Sequence, residues 1–594
     1  MSTEVDTGTD TGALGGRRFG AQVERNVAVP MRDGTILRAD VWRPAGDGLY
    51  PTLLQRLPYD KSSSFVTTHL AGLEPMRAVE AGFAVVLQDV RGSYESDGEL
   101  EPFAHEAQDG ADTIAWIAEQ PFSDGQVCMY GASYVGATQL LAATEAPPAL
   151  RAIVPNVTGS EYYEGWSYQG GVPQLGFTAW WSLGFGADAL PRRRAAGADV
   201  AEMEAELERQ LADPWTVYER LPLDDHPLLR ELAPAFFDWL AHPERDAYWR
   251  ATAISERYGA IAVPALHVGG WSDIFIDGTL RNYAGLREGA ATQTAREGQR
   301  LLVGPWAHGN AHDVVGDLDF GPGASQLALD MTAIQLDFFA HVLAGRPFET
   351  PPVRIFVMGA DRWRDEDAWP IARTRTERLH LCSDGHANGA HGDGVLRAAP
   401  PSATAPSDVF LYDPRNPVPT TGGATLLPGA FLGRYAGPRE QREVERRGDV
   451  LVYTGEPLAH DTEVTGTVRV TLTVASSAPD TDWTAKLVDV HPDGRAIGVT
   501  DGILRMRYRN SRERAEPVPP GTPVTLTIEL GATSMLFGAG HRLRVQVSSS
   551  NFPRFARHPN SEDAAAAELT PALQTVFHDA ERPAYVDLPV VPAR

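Results

Sequence analysis

Four short apolar runs constrain this chain more than any other feature: "PTLLQRL" (51–57), "FAVVLQDV" (83–90), "QVCMYGAS" (126–133) and "LRAIVPNV" (150–157). Each has the length of a strand, and none alternates cleanly between apolar and polar residues. Runs of this kind belong to strands buried on both faces, the condition of a parallel sheet covered by helices. Helical patterns separate them. "EAQDGADTIAWIAEQ" (106–120) repeats its apolar residues at three and four, and "VGATQLLAATEA" (135–146) follows the third run directly. Strand, helix, strand, helix implies a parallel α/β sheet. Ahead of it, "NVAVPMRDGTILRADVWRP" (26–44) is two alternating runs about Asp33-Gly34, a β-hairpin signal.

The pattern changes twice. Residues 158–254 are aromatic-rich and then helical, with no clear strand; strands return with "VPALHVGGW" (263–271) and "QRLLVGPW" (299–306), and "SQLALDMTAIQLDFFAHVLAG" (325–345) reads as one long helix. A helical insertion within an α/β domain accounts for this. From 352 onward, segments such as "TGTVRVTLTVASS" and "HRLRVQVSSS" are alternating or β-branched between Gly, Pro and Asp turns, as in an all-β sandwich or jelly roll. The chain of 594 residues exceeds what one core supports. The expected organisation is a disordered tail (1–24), an α/β domain (25–157), a helical cap (158–254), the rest of the α/β domain (255–351) and a jelly-roll β domain (352–594). There is no internal repeat.

Composition excludes several classes of function. A formal net charge of −26 repels nucleic acid and anionic membranes. The first residues, "MSTEVDTGTDTGALGG", lack the basic and apolar regions of a signal peptide, and no apolar stretch approaches the roughly 20 residues of a membrane span. The two cysteines, Cys128 and Cys382, fall in different expected domains and outside any metal-ligand spacing. A reducing, cytoplasmic location without disulfides fits them.

Within "VCMYGASYVGA" (127–137), Ser133 stands between a predicted buried strand and a predicted helix, the setting of a strained nucleophile elbow. Gly131 precedes it by two. The second glycine, Gly136, comes three after, because Val135 holds the position where many hydrolases place glycine. A serine needs a base. In "LLVGPWAHGN", His308 follows a strand end and so faces the same rim of a parallel sheet as Ser133. "ALHVGGWSDIFIDG" offers Asp273, just past a strand, as the carboxylate that orients the imidazole; Asp277 reads better as a helix N-cap. An oxyanion would take the backbone N–H of Tyr134 and a second donor from "QRLPYDKSS". There Tyr59 is either a phenol donor or a packed loop aromatic.

"PYDKSS", "QDVRGSYESDGEL", "GASYVGATQLLAA", "GGWSDIF" and "GPWAHGN", in this order, resemble the cocaine-esterase-like (CocE/NonD) hydrolases. That family belongs to the clan of the X-prolyl dipeptidyl aminopeptidases and α-amino-acid ester hydrolases. "YDPRNPVPTTGG" and "SSNFPRFARHPNS" resemble its C-terminal domain, so the likeness runs from about residue 25 to 590. The resemblance implies an α/β hydrolase with a helical cap and a jelly roll. It also implies a Ser133–Asp273–His308 triad, an oxyanion hole from the Tyr59 hydroxyl and the Tyr134 N–H, and no metal or organic cofactor. Asp89 and Arg91 match a family motif and are read as a structural ion pair at the sheet edge. Trp166, Trp181 and Phe275 fall at spacings similar to an aromatic acyl pocket, which implies a small-molecule ester with an apolar or aryl acyl group.

Phe275 and Ile276 stand where the amino-acid ester hydrolases carry extra carboxylates. Glu161 and Glu164 could still read a free amine, which leaves an X-prolyl peptidase or amidase as the alternative. A catalytically silent hydrolase fold used for binding is the alternative from another class. Homo-oligomers are common in such families.

Overall fold

The computed structural model describes residues 20–592 except 65–66, 69–71, 402–403 and 430–434. Ten strands form the first sheet: β1 (Ala21–Pro30), β2 (Ile36–Pro44), β3 (Tyr50–Leu57), β4 (Ala84–Asp89), β5 (Ser123–Ala132), β6 (Leu150–Asn156), β7 (Leu266–Ser272), β8 (Arg300–Ala307), β9 (Val353–Val357) and β10 (Arg362–Glu366). Their order is β1-β2-β4-β3-β5-β6-β7-β8-β9-β10. From β4 across to β9 every pairing is parallel, while β1, β2 and β10 add antiparallel edges. The apolar runs are interior strands, as expected: β4 is buried at all of its positions, and Leu53, Leu54, Met129, Ile153 and Val268 are wholly buried. Because the strands run parallel, their C-terminal ends share one rim. The chain leaves β5, β7 and β8 there at Ser133, Asp273 and His308.

Four details differ from the sequence reading. Residues 1–19 of the expected tail lie outside the described residues, and its last four, 21–24, open strand β1. The α/β sheet does not stop at 351: β9 pairs parallel with β8, and β10 antiparallel with β9. Val353, Ile355, Phe356 and Val357 are buried, so "PVRIF" is an interior strand of the first sheet rather than the start of the second. The helix pattern over 325–345 is two helices, Gln326–Leu329 and Met331–Ala344. Between them Asp330 turns left-handed at φ 50° and caps the second by accepting from Ala333 N. The cap region carries six helices between Leu175 and Arg250, and also a two-residue pairing of Tyr168–Gln169 with Val172–Pro173.

Among the described residues, strands from Arg375–Cys382 to Tyr585–Val591 form an eleven-stranded second sheet. Asp408–Tyr412 alternates buried and exposed positions along its length, while Val470, Trp483, Ile528 and Val545 fill the interior. This is the jelly-roll domain. Among the described residues, no helix is long and apolar enough to cross a membrane.

Two buried ion pairs fix the rim. Arg56 on β3 donates to Glu106 Oε2 at 2.7 Å, and Glu106 Oε1 accepts from the Tyr134 hydroxyl at 2.8 Å. One carboxylate thus ties β3, helix Glu106–Ala118 and the residue after Ser133. Asp89, at the end of β4, does not pair with Arg91. Its oxygens accept from Lys61 Nζ at 2.6 Å and Lys61 N at 2.9 Å, while Arg91 reaches Asp109 and Asp33. Burial pushes the Asp89 carboxyl up and Lys61 opposes that shift. The Lys61 clamp anchors the loop that carries Tyr59.

Candidate active site

Ser133 sits at φ 62°, ψ −124°, between β5 and helix Tyr134–Thr144. A left-handed non-glycine residue is strained and holds only where its surroundings leave no alternative. Three groups impose it. Ser133 N donates to Asn156 O at 2.9 Å. Gln139, fully buried, donates to Gly131 O at 3.1 Å and Val135 O at 2.9 Å and accepts from Val154 N at 2.9 Å, spanning both sides of the turn. The third is the absence of a side chain at Gly131, where a Cβ would lie 2.2 Å from Val135 Cγ1. The late second glycine has its own reason: a Cβ on Gly136 would meet Thr158 Cβ at 2.8 Å and Asn156 O at 3.1 Å. Val135 therefore fills the space that Gly131 vacates, and Gly136 lets the helix approach the end of β6.

The predicted partners meet Ser133. His308 Nε2 lies 3.1 Å from Ser133 Oγ, and His308 Nδ1 lies 2.7 Å from Asp273 Oδ2. An ionised carboxylate only accepts, so Nδ1 carries the ring proton and Nε2 is free to accept from the serine. Asp273 is wholly buried, and its second oxygen accepts from Phe275 N at 2.7 Å. Such a set can draw the proton from a serine hydroxyl and hold the resulting imidazolium. Asp277 is not the N-cap of helix Ile276–Gly289: Phe275 occupies that position, and Asp277 lies inside the first turn, accepting from Ala532 N of the β domain at 3.2 Å.

Tyr59 and Tyr134 flank this group. The Tyr134 N–H opens its helix, where backbone donors have no intrahelical acceptor. Its phenol is turned away, donating to Glu106 and accepting from Phe103 N at 3.0 Å. The Tyr59 hydroxyl accepts from Trp181 Nε1 at 3.0 Å, which leaves its own proton for another acceptor. Burial raises the Tyr59 phenol well above its ordinary range, so it stays protonated.

Residues 33–310 match the X-Pro dipeptidyl-peptidase (S15) family, and residues 348–587 match the X-Pro dipeptidyl-peptidase C-terminal non-catalytic domain. The chain is 39% identical to the cocaine esterase of Rhodococcus sp. (strain MB1 Bresler) over 578 residues, 96% of this chain and 98% of the relative. It belongs to the cocaine-esterase-like (CocE/NonD) hydrolases. An α-amino acid ester hydrolase structure covers 98% of each chain at 26% identity and a TM-score of 0.76. A CocE/NonD family hydrolase from Staphylococcus aureus has the same fold, with a TM-score of 0.69 at 19% identity over 96% of this chain and 93% of that one.

In this CocE/NonD hydrolase a cavity of about 990 Å³ opens beside Ser133, walled by Tyr59, Phe177, Trp181, His308 and Leu426. Of the three predicted pocket aromatics, only Trp181 lines it. Trp166 and Phe275 are wholly buried behind the wall, stacked at 4.0 Å between ring centroids. Phe275 meets the His308 ring edge-on at 5.1 Å, so it backs the imidazole. Phe177, not foreseen from sequence, stands one turn before Trp181 on helix Leu175–Ala195 and stacks on it at 5.5 Å. The i, i+4 spacing was the available signal. Leu426 brings the β domain into the cavity wall.

Glu161 and Glu164 do not line this cavity. Glu161 pairs with Arg245 at 2.6 Å, and Glu164 accepts from Gly170 N at 3.0 Å with Arg512 at 3.5 Å.

Proposed function

We propose that this protein is a serine hydrolase of small carboxylic esters with an apolar or aryl acyl group, working through an acyl-enzyme on Ser133. The observation that carries the reading is the unbroken line of contacts Ser133 Oγ–His308–Asp273 at the floor of an aromatic-walled cavity. His308 takes the Ser133 proton as Oγ attacks the acyl carbon and returns it to the departing alcohol. A water then repeats the sequence in reverse roles. The oxyanion receives the Tyr134 N–H and the Tyr59 O–H. Trp181 has two parts in this reading: its face contributes to the acyl pocket, and its indole N–H polarises and aims the Tyr59 hydroxyl. Replacing Tyr59 with Phe is expected to lower kcat about 10²–10³-fold with a small change in KM, measured with one p-nitrophenyl ester. An unchanged kcat removes Tyr59 from the oxyanion role.

The ester reading is favoured over an X-prolyl peptidase because neither Glu161 nor Glu164, the carboxylates that could read a free amine, lines the Ser133 cavity. Glu161 is engaged by Arg245 at 2.6 Å, and Glu164 lies outside the cavity beside Arg512. p-Nitrophenyl benzoate and acetate are expected to be hydrolysed, while glycyl-prolyl p-nitroanilide stays at the background rate. Faster turnover of the anilide than of both esters overturns the assignment. Two unpaired cysteines, Cys128 buried and Cys382 half-buried, support a cytoplasmic location.

A further inference from the structure

Asp489 is the penultimate residue of one strand of the β domain, Asp482–Val490, and is nearly inaccessible to solvent. Backbone pairing to Leu543 on one side and Ile497 on the other fixes its position. Two turns bring imidazoles to it. His491 begins the turn "HPDGR", closed by His491 N donating to Arg495 O at 2.8 Å and Gly494 N to His491 O at 2.9 Å. His541 ends the turn "GAGH", with its N–H on Gly538 O at 3.0 Å. His541 Nδ1 lies 2.8 Å and 3.0 Å from the two Asp489 oxygens, an ordinary imidazole–carboxylate pair.

His491 does not fit that description. Its Nε2 faces Asp489 Oδ2 from 3.4 Å, is buried, and makes no hydrogen bond among the described residues. The two rings lie 4.4 Å apart between centroids. A buried ring nitrogen that faces a carboxylate without bonding to it is explained by a third body that both atoms bind. A proton already satisfies the His541 contact, so a second imidazole at this distance is surplus to an ion pair.

The geometry points to a divalent transition-metal site, with Zn²⁺ as the suited ion, formed by Asp489, His491 and His541 in the β domain. One donor atom of each residue lies within 4.8 Å of the others. Two imidazoles and a carboxylate are a donor set that Zn²⁺ accepts, with a water completing the tetrahedron. The ligands are held by strand pairing and closed turns, so little order is lost on binding. Metal at His491 Nε2 puts the ring proton on Nδ1. That gives up only a long 3.3 Å contact from Arg495, whose shorter bond of 2.8 Å is to Asp493. Metal at His541 Nδ1 displaces the proton now shared with Asp489 to solvent. None of the three residues lines the Ser133 cavity, so the site is independent of ester hydrolysis.

The test uses full-length protein freed of metal by chelation, titrated with zinc sulfate by calorimetry and checked by elemental analysis after desalting. One equivalent of Zn²⁺ per chain is expected, together with a rise in Tm that follows the zinc concentration. His491→Asn and, separately, His541→Ala are expected to weaken binding at least about tenfold, since even loss of an outer partner has that effect. Hydrolysis of a p-nitrophenyl ester by His491→Asn should match the parent and shows that the variant is folded. Absence of stoichiometric zinc on the parent, or unchanged affinity in both variants, overturns the site and leaves His541–Asp489 as a plain ion pair.

Discussion

Replacing Ser133 with alanine is expected to lower kcat for p-nitrophenyl esters by about 10⁴–10⁶-fold and to leave the fold intact. The expectation rests on what the substitution removes. Alanine keeps the Cβ that the φ 62° backbone already accommodates, and it keeps the N–H that bonds to Asn156 O. Gly131, Gln139 and Gly136 hold the turn through backbone contacts that do not involve Oγ. Among the described residues, the one bond lost is Oγ to His308 Nε2. Circular dichroism and Tm should therefore stay close to the parent while turnover collapses, and a fluorophosphonate probe should label the parent at residue 133 and not the variant. Turnover within tenfold of the parent would remove Ser133 from the chemistry. Failure of the parent itself to take the probe would favour a silent hydrolase fold that only binds.

Why these three side chains could be assigned to one rim from sequence has a physical answer. Interior parallel strands must be apolar on both faces, so they appear as unbroken runs, and the residue after each run lies on the same rim whatever its distance in the chain. Ser133, Asp273 and His308 each follow such a run. Cavity walls give no equivalent signal. Helix Leu175–Ala195 is aromatic around much of its circumference, and a ring facing a cavity is as apolar as one facing a core. Trp166 and Phe275 were therefore indistinguishable from Phe177 and Trp181 until packing was known.

Partner choice was hidden for a related reason. Asp89 and Arg91 are neighbours in sequence, yet alternate strand and turn geometry sends them to Lys61 and Asp109, which only the tertiary arrangement brings close. The boundary at 352 failed because a short β-branched run reads the same in either sheet. Its parallel pairing with β8, which composition does not record, assigns it to the first. His491 and His541, fifty residues apart in two turns, carry no local spacing at all.

Replacing Asp273 with asparagine is expected to lower kcat about 10⁴-fold near neutral pH with a small change in KM. The carboxylate is wholly buried and has two acceptors to fill: Oδ1 takes Phe275 N at 2.7 Å and Oδ2 takes His308 Nδ1 at 2.7 Å. Asparagine has the same shape but only one acceptor. Its carbonyl stays on the backbone N–H, which cannot be anything but a donor, and its NH₂ then faces His308 Nδ1. The imidazole must accept there and move its proton to Nε2, 3.1 Å from Ser133 Oγ. In that tautomer it has no lone pair for the serine proton, and the imidazolium that would form during attack has lost its counter-charge. Packing against Phe275 is preserved, so Tm should change far less than the rate, and fluorophosphonate labelling should slow in parallel with turnover. A variant within tenfold of the parent would mean that His308 does not depend on Asp273 for its tautomer, and the proton path from Ser133 would need a different base.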